Sequence, residues 1–490
     1  MSIKLSRRQL LQSAGAASAA LGAYALGPGS LRQAFALPAS LTVGRRVIEV
    51  TGKPASVFGI TAPNGAHGLT LAPGEMFQVE LANQIGEPTI VHWHGQTPHD
   101  YRQDGVAFDD SQLIQADAVA AYDFAPRSGT HWMHSHHGLQ EQLMLAAPMI
   151  VHTAEDLAAD VQEAVVLLHD FTFRDPREVF AGLTGSAMPD MQHGAPTPPP
   201  AAAAAADEHA GHAAMADMTM DLNDVEYDAF LANDRTLDDP FVVNAERGGR
   251  VRLRLINAAS SSAFWIDVGT LDASVVAVDG NPVVPIAGGR FPLAIAQRLD
   301  IVLTLPSEGG AFPIVATLEG TRQRTGLVVA TPGASIVKVA TLAETDAPPV
   351  DLSLEHRLSP VAGLPARAAD VTHRVTLGGS MMPYLWTMGG RTWPEREPLA
   401  VKDGQRVALE LVNETMMAHP IHLHGHHFQV LGMNGMSMSG AVRDTVLVPV
   451  GGTVTVAFDA NNPGRWLLHC HNLYHMAAGM MTEVVYDGIV

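Results

Sequence analysis

The run His469-Cys470-His471-Asn472-Leu473-Tyr474-His475 holds the only cysteine of this 490-residue chain, and Met480 follows five residues after it. One soft thiolate flanked by imidazoles, with a thioether nearby, is the donor set of a blue copper site. Three more histidine clusters accompany it: His92-Trp93-His94, His134-Ser135-His136 and His419-Pro420-Ile421-His422-Leu423-His424. Zinc is the rival metal for His and Cys, but structural zinc sites usually draw on more than one cysteine. The excess of imidazole over sulfur points to copper.

The spacing matters because side chains on a strand alternate faces, so residues i and i+2 point the same way. Each His-x-His pair offers two imidazoles to one side. In the last run, His469 and His471 face one way and Cys470 the other. A metal on the thiolate is then joined through a few covalent bonds to metal held by the two histidines, and electrons can pass along that path.

The four clusters, in this order, resemble those of the multicopper oxidases. The resemblance implies four copper ions and no organic cofactor. A type 1 copper would take His419, Cys470, His475 and axial Met480, and a type 2 copper His92 and His422. A type 3 pair would take His94, His134 and His471 on one ion and His136, His424 and His469 on the other. Electrons would enter at type 1 copper, pass through Cys470 to His469 and His471, and reduce dioxygen to water. Asp104, in Gln103-Asp104-Gly105-Val106, falls where the family keeps an acid near the type 2 copper, which implies a proton donor or orienting group; a turn aspartate before glycine is the plainer reading. Met476 follows His475 where some relatives carry a glutamate used for protons, so a second relay is not implied. The stretches from His134 to Gln142 and from Pro463 to Met481 are most similar to the periplasmic copper-resistance oxidases.

The elements that must position these residues are short apolar strands punctuated by Gly, Pro, Asn and Asp, such as 76–81, 251–256, 407–412 and 453–458. Similar phrases recur: Ala72-Pro73-Gly74-Glu75, Glu246-Arg247-Gly248-Gly249 and Lys402-Asp403-Gly404-Gln405 each precede a strand, with an asparagine at 83, 257 or 413 after it. An all-β chain of three related sandwich or barrel domains is expected, and the resemblance makes them cupredoxin-like Greek keys. Boundaries are placed at about 40–155, 160–344 and 367–490, with 345–366 as a linker. Neither the first nor the third domain holds the whole ligand set, so the cluster must sit between them, with the middle domain mainly a spacer.

Hydrophobic residues make up 47% of the chain and charged ones 16%, the balance of a compact protein. The net charge of −20 argues against a nucleic-acid partner, since so acidic a chain repels phosphate. Ser6-Arg7-Arg8-Gln9-Leu10-Leu11 and the alanine-rich stretch after it resemble a twin-arginine export signal, and Ala34-Phe35-Ala36 supplies a cleavage site before Leu37. Removing 1–36 takes away Lys4, Arg7, Arg8 and Arg32 and no acid, which moves the net charge from −20 to −24. No later segment has the apolar length to span a bilayer. The expected product is a periplasmic monomer, exported by the twin-arginine machinery. A lone cysteine forms no disulfide within the chain, so metal and burial must protect Cys470.

Two methionine-rich regions stand out. Residues 188–220 combine Pro198-Pro199-Pro200 and six alanines with Met188, Met191, His193, His209, His212, Met215, Met218 and Met220. No core can be built from this composition, and thioethers prefer cuprous copper. A copper-gathering arm is the sharper reading and a solvated linker the bland one. Met433, Met436 and Met438 are expected on an exposed loop, delivering cuprous ion to type 1 copper. His99, His131, His137, His152, His426 and His427 read as bystanders near the clusters.

The function expected is oxidation of cuprous ion in copper tolerance, with dioxygen as acceptor. The alternatives are a laccase-like oxidase of phenols or other small organic reductants, or of ferrous or manganous ion, and a non-catalytic copper-binding or cell-division scaffold. The complete ligand set argues against a scaffold. The length, and the second histidine in each pair, argue against a two-domain nitrite reductase.

Overall fold

The computed structural model describes residues 38–185 and 222–489. The export segment 1–36 and the methionine- and histidine-rich stretch 188–220 lie outside the described residues.

One arrangement of strands occurs three times. In the first copy Ala39–Val50 forms a hairpin with Lys53–Thr61 and runs parallel to Phe77–Asn83, whose other edge is antiparallel to Val119–Phe124. In the second copy Gln162–Phe171, Ala229–Ala232, Arg250–Asn257 and Arg298–Thr304 take those places. In the third they are Val371–Met381, Tyr384–Met388, Arg406–Asn413 and Thr453–Asp459. Strands that lie parallel side by side cannot be joined by a tight turn, so the chain must cross to a second sheet and return. The result is three cupredoxin-like Greek-key domains, the all-β class expected from the sequence. Phe77, Val79 and Leu81 alternate inward along their strand with more exposed neighbours between them, as a half-buried strand requires.

The echo at Asn83, Asn257 and Asn413 has a structural cause. Each asparagine ends the central strand of its domain and is buried. Its amide nitrogen donates to backbone carbonyls across the turn: Ile114 O in the first domain, Ser262 O in the second and Met417 O in the third, at 2.8, 2.9 and 2.7 Å. A buried amide satisfied in this way pins the corner where the chain leaves one sheet for the other.

The second sheets carry the histidines. Val91–His94 pairs with Gly129–Ser135, with His92 opposite His134. His419–Leu423 pairs with Arg465–Cys470, with His422 opposite His469 and Ile421 opposite Cys470. The segment between the second and third domains is packed rather than loose: Val350, Leu352, Leu354 and Leu358 join the apolar core that runs through both domains.

Candidate metal centres

Cys470 ends its strand, and the short helix Leu473–Ala477 folds the chain back over it. Asn472 caps that helix, its side-chain oxygen accepting the amides of Tyr474 and His475. His475 is thereby turned toward His419, with the two Nδ1 atoms 3.1 Å apart and each 3.7 Å from Cys470 Sγ. All three side chains are fully buried. Met480 is also fully buried, and its backbone bonds to both Cys470 and His475, at 3.1 and 3.0 Å. Gly479, at φ +119°, makes this return possible, since a Cβ there would sit 2.8 Å from Trp386 O. Trp386 covers the other side, its ring centroid 4.0 Å from that of His475.

The remaining eight histidines converge from the first and third domains. Nε2 of His92 lies 3.4 Å from Nε2 of His422, and Nε2 of His134 lies 3.4 Å from Nε2 of His471. His469 Nε2 is 3.5 Å from His136 Nε2 and 2.9 Å from His424 Nε2. His94 lies between His134 and His471, with ring centroids 5.6 and 5.2 Å away. The cluster therefore sits between the first and third domains, and His469 and His471 are the immediate neighbours of Cys470.

The outer nitrogens of these rings show what the inner ones can bind. His92 Nδ1 is held by Asp104 O at 2.8 Å, His422 Nδ1 by Asp444 O at 2.9 Å and His469 Nδ1 by Cys470 O at 3.0 Å. A carbonyl only accepts, so in each case Nδ1 carries the proton and Nε2 presents a lone pair. His94 is reversed: Nε2 bonds Asp444 Oδ1 at 3.1 Å, while Nδ1 is buried without a partner. Burial lowers the basicity of His92, His94, His136, His422, His424, His469 and His471, which keeps these rings neutral. Neutral imidazoles with lone pairs facing one another at such distances need a cation between them. Nitrogen donors in excess, with one thiol at the smaller centre, fit copper.

Four carboxylates that hold these rings have no distinctive spacing in the sequence, and only Asp104 was singled out there. Its Oδ2 lies 2.7 Å from His424 Nδ1 and 3.5 Å from His92 Nδ1, and its Oδ1 is buried without a partner. Burial raises its carboxyl well above the usual range. Glu141 Oε2 holds His134 Nδ1 at 2.9 Å. Asp444 holds His94 and, through its backbone oxygen, His422; burial pulls its carboxyl upward, but the Arg298 guanidinium more than offsets this and keeps it well below the usual range. Asp224 lies 3.2 Å from His475 Nε2 and also accepts from Asn472 and Tyr384, at 2.6 and 3.1 Å. The hydroxyl of Thr415 lies 2.7 Å from His419 Nε2.

Four of the bystander histidines have other partners. His426 bonds Tyr486 OH at 2.7 Å, His427 bonds Gly95 O at 2.9 Å, His131 bonds Ser128 O at 3.2 Å and His152 bonds Glu163 at 2.6 Å. The methionines of the third domain differ from expectation. Met433 is 1% exposed and belongs to the core, because its strand Phe428–Met433 turns that side chain inward. Met436 is exposed, but its strand Met436–Ser437 lies at the opposite edge of the sheet from Tyr384–Met388, the strand that covers His475. Five strand spacings separate those edges, on the order of 24 Å. Met438, partly buried, packs against the core beside the same hairpin.

Comparison with known proteins places this geometry in context. The family description "Multicopper oxidase" matches three times, over residues 43–156, 163–338 and 367–488. The chain is 32% identical to multicopper oxidase MmcO of Mycobacterium tuberculosis, over 92% of this chain and 85% of that protein. It is 26% identical to copper resistance protein A of Escherichia coli, over 99% of each. Among solved structures it is similar to Fet3p, a multicopper oxidase that functions in iron import, with a TM-score of 0.72 at 18% identity over 91% of this chain and 90% of the other.

Proposed function

The chain belongs to the multicopper oxidase family and is a copper-dependent oxidoreductase, and on that premise we propose that it oxidises cuprous ion in the periplasm as part of copper tolerance. The observation that carries the substrate reading is the cleft outside His475. It has a volume of about 470 Å³ and reaches Asp224; Glu178, Glu226 and Asp228 also line it, against Arg174 alone. Three carboxylates at this cleft, beside the buried Asp224 that holds a metal-binding histidine, suit the approach of a small cation.

The arm supports the same reading. Helix Pro176–Thr184 leads into it and Leu222 follows it, and Gly182, Leu183 and Asp224 all line this cleft. Met188, Met191, His193, His209, His212, Met215, Met218 and Met220, the soft donors of the proposed copper-gathering arm, fall in sequence between these two ends.

On this reading His419, Cys470, His475 and Met480 hold type 1 copper, and His92 and His422 hold type 2. His94, His134 and His471 hold one type 3 ion, and His136, His424 and His469 the other. Bound copper supplies the one-electron chemistry at the first site and the four-electron reduction of dioxygen at the second. The protein's own part is positional. Asp224 orients His475 at the edge facing the reductant, and the backbone of Cys470 links its sulfur to His469 and His471. Asp104, whose carboxyl burial pushes well above the usual range, orients His424 through Oδ2 and serves as the proton donor of the cluster. Export by the twin-arginine route, cleavage near Ala36 and a monomeric state complete the proposal.

The test compares turnover of cuprous ion with that of a phenolic dye, in the full protein and in one lacking 188–220. Efficient cuprous oxidation that weakens at low copper when the arm is removed supports the reading. Efficient phenol oxidation with poor cuprous turnover overturns it.

A further inference from the structure

The three buried asparagines provide an internal control. After each, the side-chain oxygen accepts the amide of the residue two positions on: Ile85 at 3.2 Å, Ala259 at 3.2 Å and Thr415 at 2.9 Å. Isoleucine and alanine serve at that position in the first two domains, so the turn itself needs no hydroxyl. Only the domain carrying Cys470 places a threonine there. Its Oγ1 lies 2.7 Å from His419 Nε2, 2.8 Å from Asn413 Oδ1 and 3.1 Å from Met417 O.

The direction of these bonds follows from the asparagine. Asn413 Nδ2 faces three backbone carbonyls, of Met417, Val448 and Pro449, at 2.7, 3.1 and 3.0 Å. All three can only accept, so the amide cannot be flipped and Oδ1 must point at Thr415. Oδ1 carries no proton, so the threonine hydroxyl donates to it, and the hydroxyl oxygen is left to accept from His419.

We propose that Thr415 is a positioning residue of the mononuclear copper site: its hydroxyl takes the hydrogen bond of His419 Nε2–H and so leaves Nδ1 facing Cys470 Sγ. The other imidazole has a stronger partner, since His475 Nε2 faces the Asp224 carboxylate. A carboxylate raises the donor strength of a ligand histidine more than a hydroxyl does. The two nitrogens therefore reach the metal with unequal strength, and Thr415 sets the weaker one. This holds for any reductant, although it rests on the type 1 assignment above.

The experiment uses the full-length, copper-loaded protein with Thr415→Val and Thr415→Ser. Valine keeps the shape and removes the hydroxyl. It is expected to shift the blue absorption band, raise the type 1 reduction potential and speed copper loss to a chelator by about tenfold, with the copper at the other centre retained. Serine is expected to restore all three. Should valine lower the melting temperature, Thr415→Ala, matching Ala259 of the second domain, carries the same comparison. A hydroxyl-free variant with the parent's band, potential and copper retention overturns the proposal and leaves the threonine a turn residue. A parent protein with no blue band overturns the type 1 assignment as well, and that outcome is distinct from a variant that matches its parent.

Discussion

Arg298 of the second domain binds Asp444 of the third inside the protein, with Nη1 2.7 Å from Oδ1 and both side chains essentially unexposed. Its Nε also reaches Thr130 O of the first domain, at 3.3 Å. Asp444 in turn holds His94 through Oδ1 and His422 through its backbone oxygen. The middle domain therefore does more than space the other two: one of its arginines fixes the carboxylate that orients two histidines of the cluster.

Arg298→Gln is expected to leave Asp444 buried and uncompensated, at a cost of about 3–5 kcal/mol. Copper should be lost first from the eight-histidine cluster while the blue band persists. Melting temperature, copper content and the visible spectrum check this together.

Asp104→Asn keeps the shape but removes a group that can give up a proton. Dioxygen consumption is expected to fall by about a hundredfold or more, the scale of a lost general acid, with the blue band unchanged and reduction of type 1 copper by substrate at the parent rate. Stopped-flow spectra separate that half-reaction from the one with dioxygen.

Asp224→Asn weakens the hold on His475 and removes the negative charge buried beside the cleft. The KM for cuprous ion is expected to rise more than the KM for a neutral dye. Steady-state kinetics on both substrates check the difference.

Glu319 has its carboxyl raised to about 7 by burial, against a backbone bond from Val350 that lowers it. The folded state thus holds a proton that the unfolded state releases at about pH 4.5. The sign follows: stability from this group is intact at low pH and falls as pH rises through that window. Glu319→Gln is expected to match the parent in thermal unfolding at about pH 5 and exceed it at about pH 8.

Much of the metal chemistry was legible in the sequence because strand periodicity is local. His469 and Cys470 take opposite faces as successive residues of one strand, His471 joins His469 from just past its end, and the echo at 83, 257 and 413 marks three equivalent corners. Carboxylates were harder to read. Glu141 and Asp444 reach their histidines through a short 3-10 turn and across a domain boundary, and Asp224 reaches His475 from 251 positions away. No spacing rule encodes such approaches. Met433 was misplaced for a related reason: composition marks a methionine as soft, but only the register of its strand decides whether it faces solvent or the core.

The central claim is that one sulfur joins two metal centres through the chain that bears it. Cys470→Ser, measured by total copper, visible absorption and dioxygen uptake on one sample, tests it most directly. The account predicts loss of the blue band and of dioxygen consumption, with about three copper ions remaining at the histidine cluster. A serine variant that still consumes dioxygen with cuprous ion at the parent rate would contradict it.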